Sequence, residues 1–434
     1  MTIYFDTQNN LAWLVRLSQL DFKKEINMAN RADSDLIRRQ NRHLVLEALR
    51  FAGRAPRVEL GRLTGLSLAT ITSITAQLLN EGLLLEDNTV APISTRRGRP
   101  SVDLSLNPSA THIIVLKISI GKFEMVLADY AGTRVAHEIK TVATHDMKIH
   151  EVGKKAASLI LTFLAEHNKS PRDVRIIGVA AQGAAETGAG HLMWSPAFKE
   201  VNIPLTEPIS RLTGIDCRLS NDANMIAEGL MAREHYQYKG TAAVIFMGYG
   251  VGMGLVIDGK TYHGSTGAAA EFGHMNHIPH GAMCRCGMSG CIEAYASDYG
   301  ILRTAQGLPV NTPPPLDAVE PEVMMALETS ARQGDGAALG AYVKAGEAIG
   351  FGLARMIALL SPDRIIISGP GIRAFDLAEP AIAASIDEGV VTALRQNVKL
   401  EKLPMDHDMI ITGTIDKLLH DLDREVFARA EAAA

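Results

Sequence analysis

The sequence predicts an α/β protein in two parts: a small N-terminal winged helix-turn-helix unit, then a larger domain of two lobes around a cleft. Three observations carry that expectation. Between about Asp33 and Pro100, three helical patterns follow one another, the second and third joined by a short turn at Gly65. From about Val102 the arginines thin out, and apolar strands alternate with Gly-rich turns and helices. The chain has 434 residues, and those beyond this change are enough for two lobes. The expected boundaries are an N-terminal extension at 1–30, the winged unit with a basic linker at 31–102, and the α/β domain at 103–434. For 1–30 two readings stand: a flexible arm, or an over-long start ahead of Met28.

Composition narrows the function classes. Net charge is −5, so the chain as a whole is not built to coat nucleic acid; DNA binding would need a local basic patch. No apolar run approaches the roughly 20 residues that cross a bilayer. The N-terminus carries Asp6 and lacks the apolar core of an export signal. The expectation is a cytoplasmic protein with no membrane partner.

The first helix is read from SDLIRRQNRHLVLEALRFAG, with Leu36, Ile37, Leu44, Val45, Ala48 and Leu49 toward the core and Gly53 as its stop. Pro56 opens the second. Ser67 caps the third, LATITSITAQLLNEGLL, which turns Ile71, Ile74, Leu78 and Leu79 inward. Its outer face is small and polar: Ser67, Thr70, Thr72, Ser73 and Gln77. Small hydroxyl side chains let a helix lie close to base edges and phosphates in a major groove. A Thr-rich solvated face is the plain alternative. Arg38, Arg39, Arg42, Arg54, Arg57 and Arg62 are read as phosphate-binding charge. Two short extended runs then flank a turn, as in a wing. They contain Arg96-Arg97-Gly98-Arg99-Pro100, a narrow strip in which Arg97 and Arg99 suit an A·T-rich minor groove. A basic interdomain linker is the other reading.

The α/β domain is read from strands such as HIIVLKISI, VRIIGVAAQG, TAAVIFMGYG and DRIIISGPG, with helices such as EVGKKAASLILTFLAEH between some of them. In VIFMGYGVGMGLVIDGK, Gly248, Gly250, Gly252 and Gly254 alternate, which would let backbone N–H groups approach a ligand. Three of the four cysteines, Cys284, Cys286 and Cys291, fall within eight residues, with His274, His277 and His280 just upstream. Four cysteines are too few for a disulfide framework, and the cluster points to metal in a reducing compartment. Cys217 stands apart and reads as a core residue.

The run from Met247 to His274, the Cys-x-Cys-Gly-x-x-Gly-Cys that follows, Glu293, and Ser220-Asn221-Asp222-Ala223-Asn224 upstream together resemble the ROK family of repressors, open reading frames and kinases. The resemblance runs from about Ile37 to the C-terminus. It implies an actin-like, sugar-kinase-like (ribonuclease H-like) ATPase fold carrying a zinc knuckle. It favours His274 over His277 and His280, giving a His274, Cys284, Cys286, Cys291 set. Three thiolates and one imidazole make a closed tetrahedral zinc site, structural rather than catalytic. One nitrogen of His274 would bind zinc and the other would face the cleft.

The resemblance further implies a sugar ringed by Asn221, Asp222, Glu271, His274 and Glu293. Carboxylates and an amide suit hydroxyls that both donate and accept. In the family's kinases the acid matching Asp222 is the base; here it is a vestigial base candidate. The phosphate loops depart from the kinase pattern. Lys117 replaces an acid, Ser119 and Ile120 replace glycines, Tyr249 replaces a small hydroxyl residue, and Gly369-Pro370-Gly371 replaces a glycine triplet. Ala197 stands where kinases carry an Asn, and Trp194 is either a sugar-stacking ring or a core residue.

The reading is therefore a sugar-responsive, DNA-binding transcriptional regulator, a repressor rather than an enzyme. It would be released from a double-stranded operator by a sugar or sugar phosphate, and would work as a homodimer or tetramer. The alternatives are a ROK sugar kinase with a regulatory DNA-binding domain, and a constitutive DNA-binding protein with a vestigial cleft.

Overall fold

The computed structural model describes residues 19–87, 102–234, 240–396, 398–403 and 409–427. Arg97 and Arg99 lie outside the described residues, as do residues 1–18. The chain divides into two compact units, Met1–Asn107 with His420–Ala434, and Pro108–Leu419.

The first unit contains α1 (Gln19–Ala52), β1 (Arg54–Pro56), α2 (Arg57–Thr64), α3 (Leu68–Asn80), β2 (Leu84–Asp87) and β3 (Asp103–Leu106). The strands form an antiparallel sheet in the order β1-β3-β2. Gly65 caps the end of α2 at φ 71°, and the Ser67 side chain accepts the Thr70 N–H at the start of α3. Val45, Leu46 and Leu49 of α1 meet Leu60, Ile71 and Leu78 in a dry core.

Several expectations are corrected here. Helix α1, described from Gln19, already runs through part of the segment read as an extension. Leu36 and Ile37 are exposed (55% and 56%), and so is Leu44. Among the residues of α1 whose burial is described, from Asp35 on, the buried ones run from Arg42 to Leu49. Leu79 is only half-buried, because Thr75 and Leu78 take the inward positions. Arg42 is fully buried. Its guanidinium binds the Glu81 carboxylate at 2.5 and 3.1 Å and the Phe427 carbonyl at 2.8 Å. A charge so used is structural and is not offered to phosphate. Arg50 likewise binds Asp423 at 2.9 Å, so the segment Asp423–Phe427 is stapled to α1 at two points.

The second unit has two five-stranded sheets. The first is built from β4 (His112–Ser119), β5 (Lys122–Asp129), β6 (Arg134–Thr141), β7 (Val174–Ala181) and β11 (Asp216–Asn221), in the order β11-β7-β4-β5-β6. Helix α4 (Ile149–Glu166) precedes β7. Three short strands, β8 (Ala184–Glu186), β9 (His191–Trp194) and β10 (Ile203–Pro204), and α5 (Thr206–Thr213) lie between β7 and β11. Strand β4 is central and buried on both faces, as its run of isoleucine, valine and leucine requires; β6 alternates in and out as an edge strand. Helix α6 (Asp222–Glu234) leads to the second sheet.

That sheet contains β12 (Ala242–Met247), β13 (Val251–Ile257), β14 (Lys260–Thr261), β15 (Arg364–Ser368) and β16 (Lys399–Lys402), in the order β14-β13-β12-β15-β16. Each sheet thus has one hairpin arm of antiparallel strands and one arm of parallel strands, wound in the same order. Helices α7 (Glu293–Ala296), α8 (Asp298–Ala305), α9 (Pro321–Arg332) and α10 (Gly336–Leu360) come before β15; α11 (Phe375–Gly389) and α12 (Thr392–Arg395) come after it. The last helix is α13 (Met409–Leu422). Among the described residues no helix is long and apolar enough to cross a membrane.

The alternating glycines of β13 have a packing role that the sequence reading assigned to a ligand. A Cβ on Gly252 would stand 2.9 Å from the Ala223 Cβ. A Cβ on Gly254 would stand 2.6 Å from the Ala227 Cβ and 2.8 Å from the Ala223 carbonyl oxygen. The glycines and alanines let α6 lie directly on β13, and α6 begins at a cleft residue. Gly254→Ala is expected to cost about 1–3 kcal/mol by overpacking, measured as a lower urea midpoint. Ala227→Gly in the same chain should restore part of it, since it relieves one of the two clashes. An unchanged midpoint in Gly254→Ala would show that the helix does not need this close approach.

Candidate functional site

Asn221, Asp222, Glu271, His274 and Glu293 line one cleft between the two lobes, together with Trp194, Pro196 and the backbone of Gly250 to Gly252. The parallel pairing of β11 with β7 brings Asn221 beside Ala181, and the chain turns there into α6, leaving Asp222 at the helix start. Asn221 is partly committed: its Nδ2 donates to the Gly183 carbonyl at 2.7 Å, and its Oδ1 accepts the Asn224 N–H at 3.1 Å. It holds two loops in register and offers a ligand only its remaining donor and lone pair. Asp222 accepts the Ala223 N–H at 2.9 Å. Burial pushes its carboxyl up to about 7, against the pull of that bond and of the Lys117 charge.

Glu271 opens the short 3₁₀ turn Phe272–His274, which sets its carboxylate 3.8 Å from His274 Nε2. Burial also raises the Glu271 pKa, and the His274 charge opposes it. Glu293 is the most enclosed of the five. Its Oε2 accepts the Val251 N–H at 3.2 Å, and its Oε1 accepts the Tyr299 hydroxyl at 3.3 Å and lies 3.6 Å from Cys284 Sγ. Burial pushes it up to about 7. The Trp194 ring meets His274 edge-on, centroids 5.1 Å apart, at the cleft wall. Ala197, which stands where the kinases carry an Asn, is fully buried, and its neighbour Pro196 lines the cleft.

Behind His274 stand the thiols. One donor atom from each of His274, Cys284, Cys286 and Cys291 lies within 4.8 Å of the others. Cys284 Sγ is 3.8 Å from His274 Nδ1, and Cys286 Sγ is 3.7 Å from Cys291 Sγ. Gly287 and Gly290, at φ 86° and 89°, make the turns that fold the loop back on itself. Three thiols and one imidazole converging on a point form a set able to hold a metal ion. His274 faces both ways, Nδ1 to the thiols and Nε2 to the cleft. His277 packs instead against Tyr295, and His280 is not in the group. Cys217 lies on β11 against the first-lobe core, its thiol pushed up to about 12 by burial.

Lys117 on β4 binds Glu124, its neighbour on β5, at 3.1 Å. Ser119 ends β4, and the Ile120 N–H donates to Gln182 Oε1 at 3.3 Å. Tyr249 sits between β12 and β13, its carbonyl taken by the Arg285 guanidinium at 3.2 Å. In the first unit Ser67, Thr72 and Ser73 are exposed on α3 and Thr70 is half-buried. Three of those hydroxyls have local partners: Ser67 with Thr70 at 2.8 Å, and Thr72 with the Leu68 carbonyl at 2.8 Å. Of the arginines read with them, Arg38 binds Gln77, Arg57 binds Thr75 and Glu86, and Arg62 binds Glu59.

Sequence reasoning missed Tyr299, Gln182 and Phe246. Tyr299 carried one signal, its place six residues after Glu293 in the helical run that follows the cysteines. Gln182 and Phe246 carried none, since each is placed by strand pairing across long sequence separations.

A family model described as "ROK family" matches residues 116–416. The chain belongs to the ROK family. Among relatives of this ROK protein, the DNA-binding transcriptional repressor Mlc of Escherichia coli K12 is 28% identical over 384 residues, covering 87% of this chain and 93% of that one. The xylose repressor of Caldicellulosiruptor bescii is 23% identical over 398 residues, covering 89% and 97%. A crystal structure of a ROK family transcriptional regulator, a homologue of E. coli Mlc, superimposes with a TM-score of 0.72 at 24% identity, covering 91% of this chain and 99% of that one. A ROK family glucokinase from Streptomyces griseus, solved with glucose and AMPPNP, gives 0.56 at 23% identity, covering 70% and 98%. The fold is thus the α/β sugar-kinase-like ROK fold with a helical N-terminal region.

The raised Asp222 pKa has a measurable consequence. Its folded value of about 7 lies above the ordinary value of 3.8. The folded ROK protein holds this proton more tightly than the unfolded chain, so the contribution is fully present below about pH 4 and is lost as pH rises through 7. Asp222→Asn should flatten the fall in melting temperature between pH 4 and 7 and melt higher than wild type at pH 8. Parallel wild-type and variant profiles would mean that this carboxyl is not buried as described.

Proposed function

We propose that this chain is a sugar-responsive, DNA-binding transcriptional repressor: the unit around α2 and α3 is a winged helix-turn-helix, and the interlobe cleft takes a sugar or sugar phosphate. The observation that carries this reading is Lys117. It sits close enough to Asp222 to act on its charge and is paired with Glu124, at the place where family resemblance puts a metal-associated acid. A cation there opposes the magnesium that phosphoryl transfer needs, while the ring of Asn221, Asp222, Glu271, His274 and Glu293 remains suited to hydroxyls. The Mlc and xylose repressor relatives, matched along nearly their whole length, support the same reading. Three thiolates and one imidazole favour zinc, which would orient His274 toward the ligand without taking part in chemistry. Ser73 and Thr72 on α3 would face the major groove, and Arg97 and Arg99 the minor groove beside each half-site. A symmetric dimer or tetramer would match a two-fold operator.

One observation favours the kinase reading: a buried carboxyl with a pKa of about 7 is well poised as a general base. The two are separated by assay. With ATP, magnesium and a panel of hexoses and N-acetylhexosamines, no phosphorylation is expected; turnover abolished by Asp222→Asn would establish the kinase.

In a gel shift, a sugar from that panel should release the wild-type protein from its operator. Glu271→Ala should bind DNA as well as wild type and resist release, because it loses a ligand contact and touches no DNA. Release of both at the same sugar concentration would break the proposed link between cleft and operator. Metal analysis should find one zinc per chain fewer in Cys286→Ser than in wild type, together with a lower melting temperature; a reduced wild-type sample without metal would remove zinc from the account.

A further inference from the structure

The first unit holds a second group of metal-type donors, away from the cleft. His43 and Glu47 lie four residues apart on α1, so one helix face presents both. His420, near the end of α13, comes up against them. One donor atom from each of the three lies within 4.8 Å of the other two. His420 Nδ1 is 4.0 Å from Glu47 Oε1, and the two imidazoles meet edge-on with centroids 5.0 Å apart. All three side chains are partly buried, and His43 Nδ1 is buried with no hydrogen-bond partner. A buried polar atom left unsatisfied beside another imidazole and a carboxylate has the neighbours that a bound cation would complete.

We propose that His43, Glu47 and His420 form a binding site for a divalent transition-metal ion of the zinc class, distinct from the His274 and cysteine set. Two imidazoles and one carboxylate are the donors that zinc accepts outside thiolate sites. Tetrahedral zinc with bonds of about 2.0–2.2 Å places its ligand atoms about 3.4 Å apart, so the three donors need close by only about 1 Å, within the reach of side-chain rotation. Three protein ligands leave a fourth position to water. The competing arrangement is a plain ion pair between a protonated His420 and Glu47. At 4.0 Å the separation of His420 Nδ1 from Glu47 Oε1 is too long for a hydrogen-bonded pair, and that pair would leave the buried His43 Nδ1 unsatisfied. Bound there, the ion would fasten the end of the last helix to the first, beside the Arg50–Asp423 bridge.

The test is zinc stoichiometry of the full-length protein. Wild type, Glu47→Gln, His43→Asn and His420→Asn are dialysed against micromolar zinc, and bound metal is counted by mass spectrometry. Each variant should carry about one zinc fewer than wild type, a difference that holds whatever the cysteine loop binds. Loading with cobalt separates the sites, since only thiolate ligation gives an intense charge-transfer band; that band should be the same in wild type and variants. Glu47→Gln keeps the side-chain shape, so its fold should survive while its zinc affinity at this site falls at least about tenfold. Equal zinc in wild type and all three variants would overturn the proposal. So would a loss of metal in the variants that comes entirely from the thiolate band.

Discussion

The Glu293 carboxylate joins the parts of the cleft that must not move independently. One oxygen accepts the Val251 N–H at the start of β13, and the other meets the Tyr299 hydroxyl and Cys284. The Gly-rich hairpin, the thiol loop and the helices behind it are therefore indexed to one side chain, buried to 7% exposure. The cost of burying that acid appears in its raised pKa, and the hydrogen bonds on both oxygens offset it. Arg285 adds a second tie, from the loop to the Tyr249 carbonyl. The wall that carries Glu271 and His274 is thus tied together by side-chain contacts from three separate segments.

Much of this was legible in the sequence, for local reasons. Ser67 and Gly65 mark the ends of helices by chemistry confined to one turn, and the cysteine spacing encloses a loop short enough to close on itself. The five polar cleft residues could be named because each lies in a compact motif that resembles the family's. The missing part was long-range. Whether Gly252 and Gly254 serve a ligand or a helix depends on Ala223 and Ala227, which come earlier in the chain and are brought over them only by the fold. Tyr299 and Gln182 became visible for the same reason. Ala197, noted in the sequence as a departure from the kinases' Asn, has its side chain in the first-lobe core.

The arginines teach a related lesson about charge. In sequence they form one basic cluster, and in the fold they divide by partner. Arg42 is consumed by Glu81 and a carbonyl, and Arg57 and Arg62 are held by Glu86 and Glu59, so part of the apparent positive patch is the glue of the unit itself. Counting basic residues overstates the field available to a polyanion wherever acids come in by tertiary contact. Loss of Arg42 would act on folding first, since its fully buried guanidinium holds both the Glu81 carboxylate and the Phe427 carbonyl.

The matched winding of the two sheets separates what is common from what is particular in this molecule. Both lobes follow one plan, and in both the plan supplies the core. The features that face the cleft come largely from what is added to it: β8 to β10 with Trp194 and Pro196 in the first lobe, and the stretch from Glu271 to Glu293 in the second. Asn221 at the end of β11, Asp222 at the start of α6, and Phe246 with Gly250 to Gly252 on the second sheet's hairpin are the cleft features carried by the shared plan itself. The cleft lining and the scaffold are consequently written largely in different segments, so the lining can change through the added loops while the paired cores stay as they are.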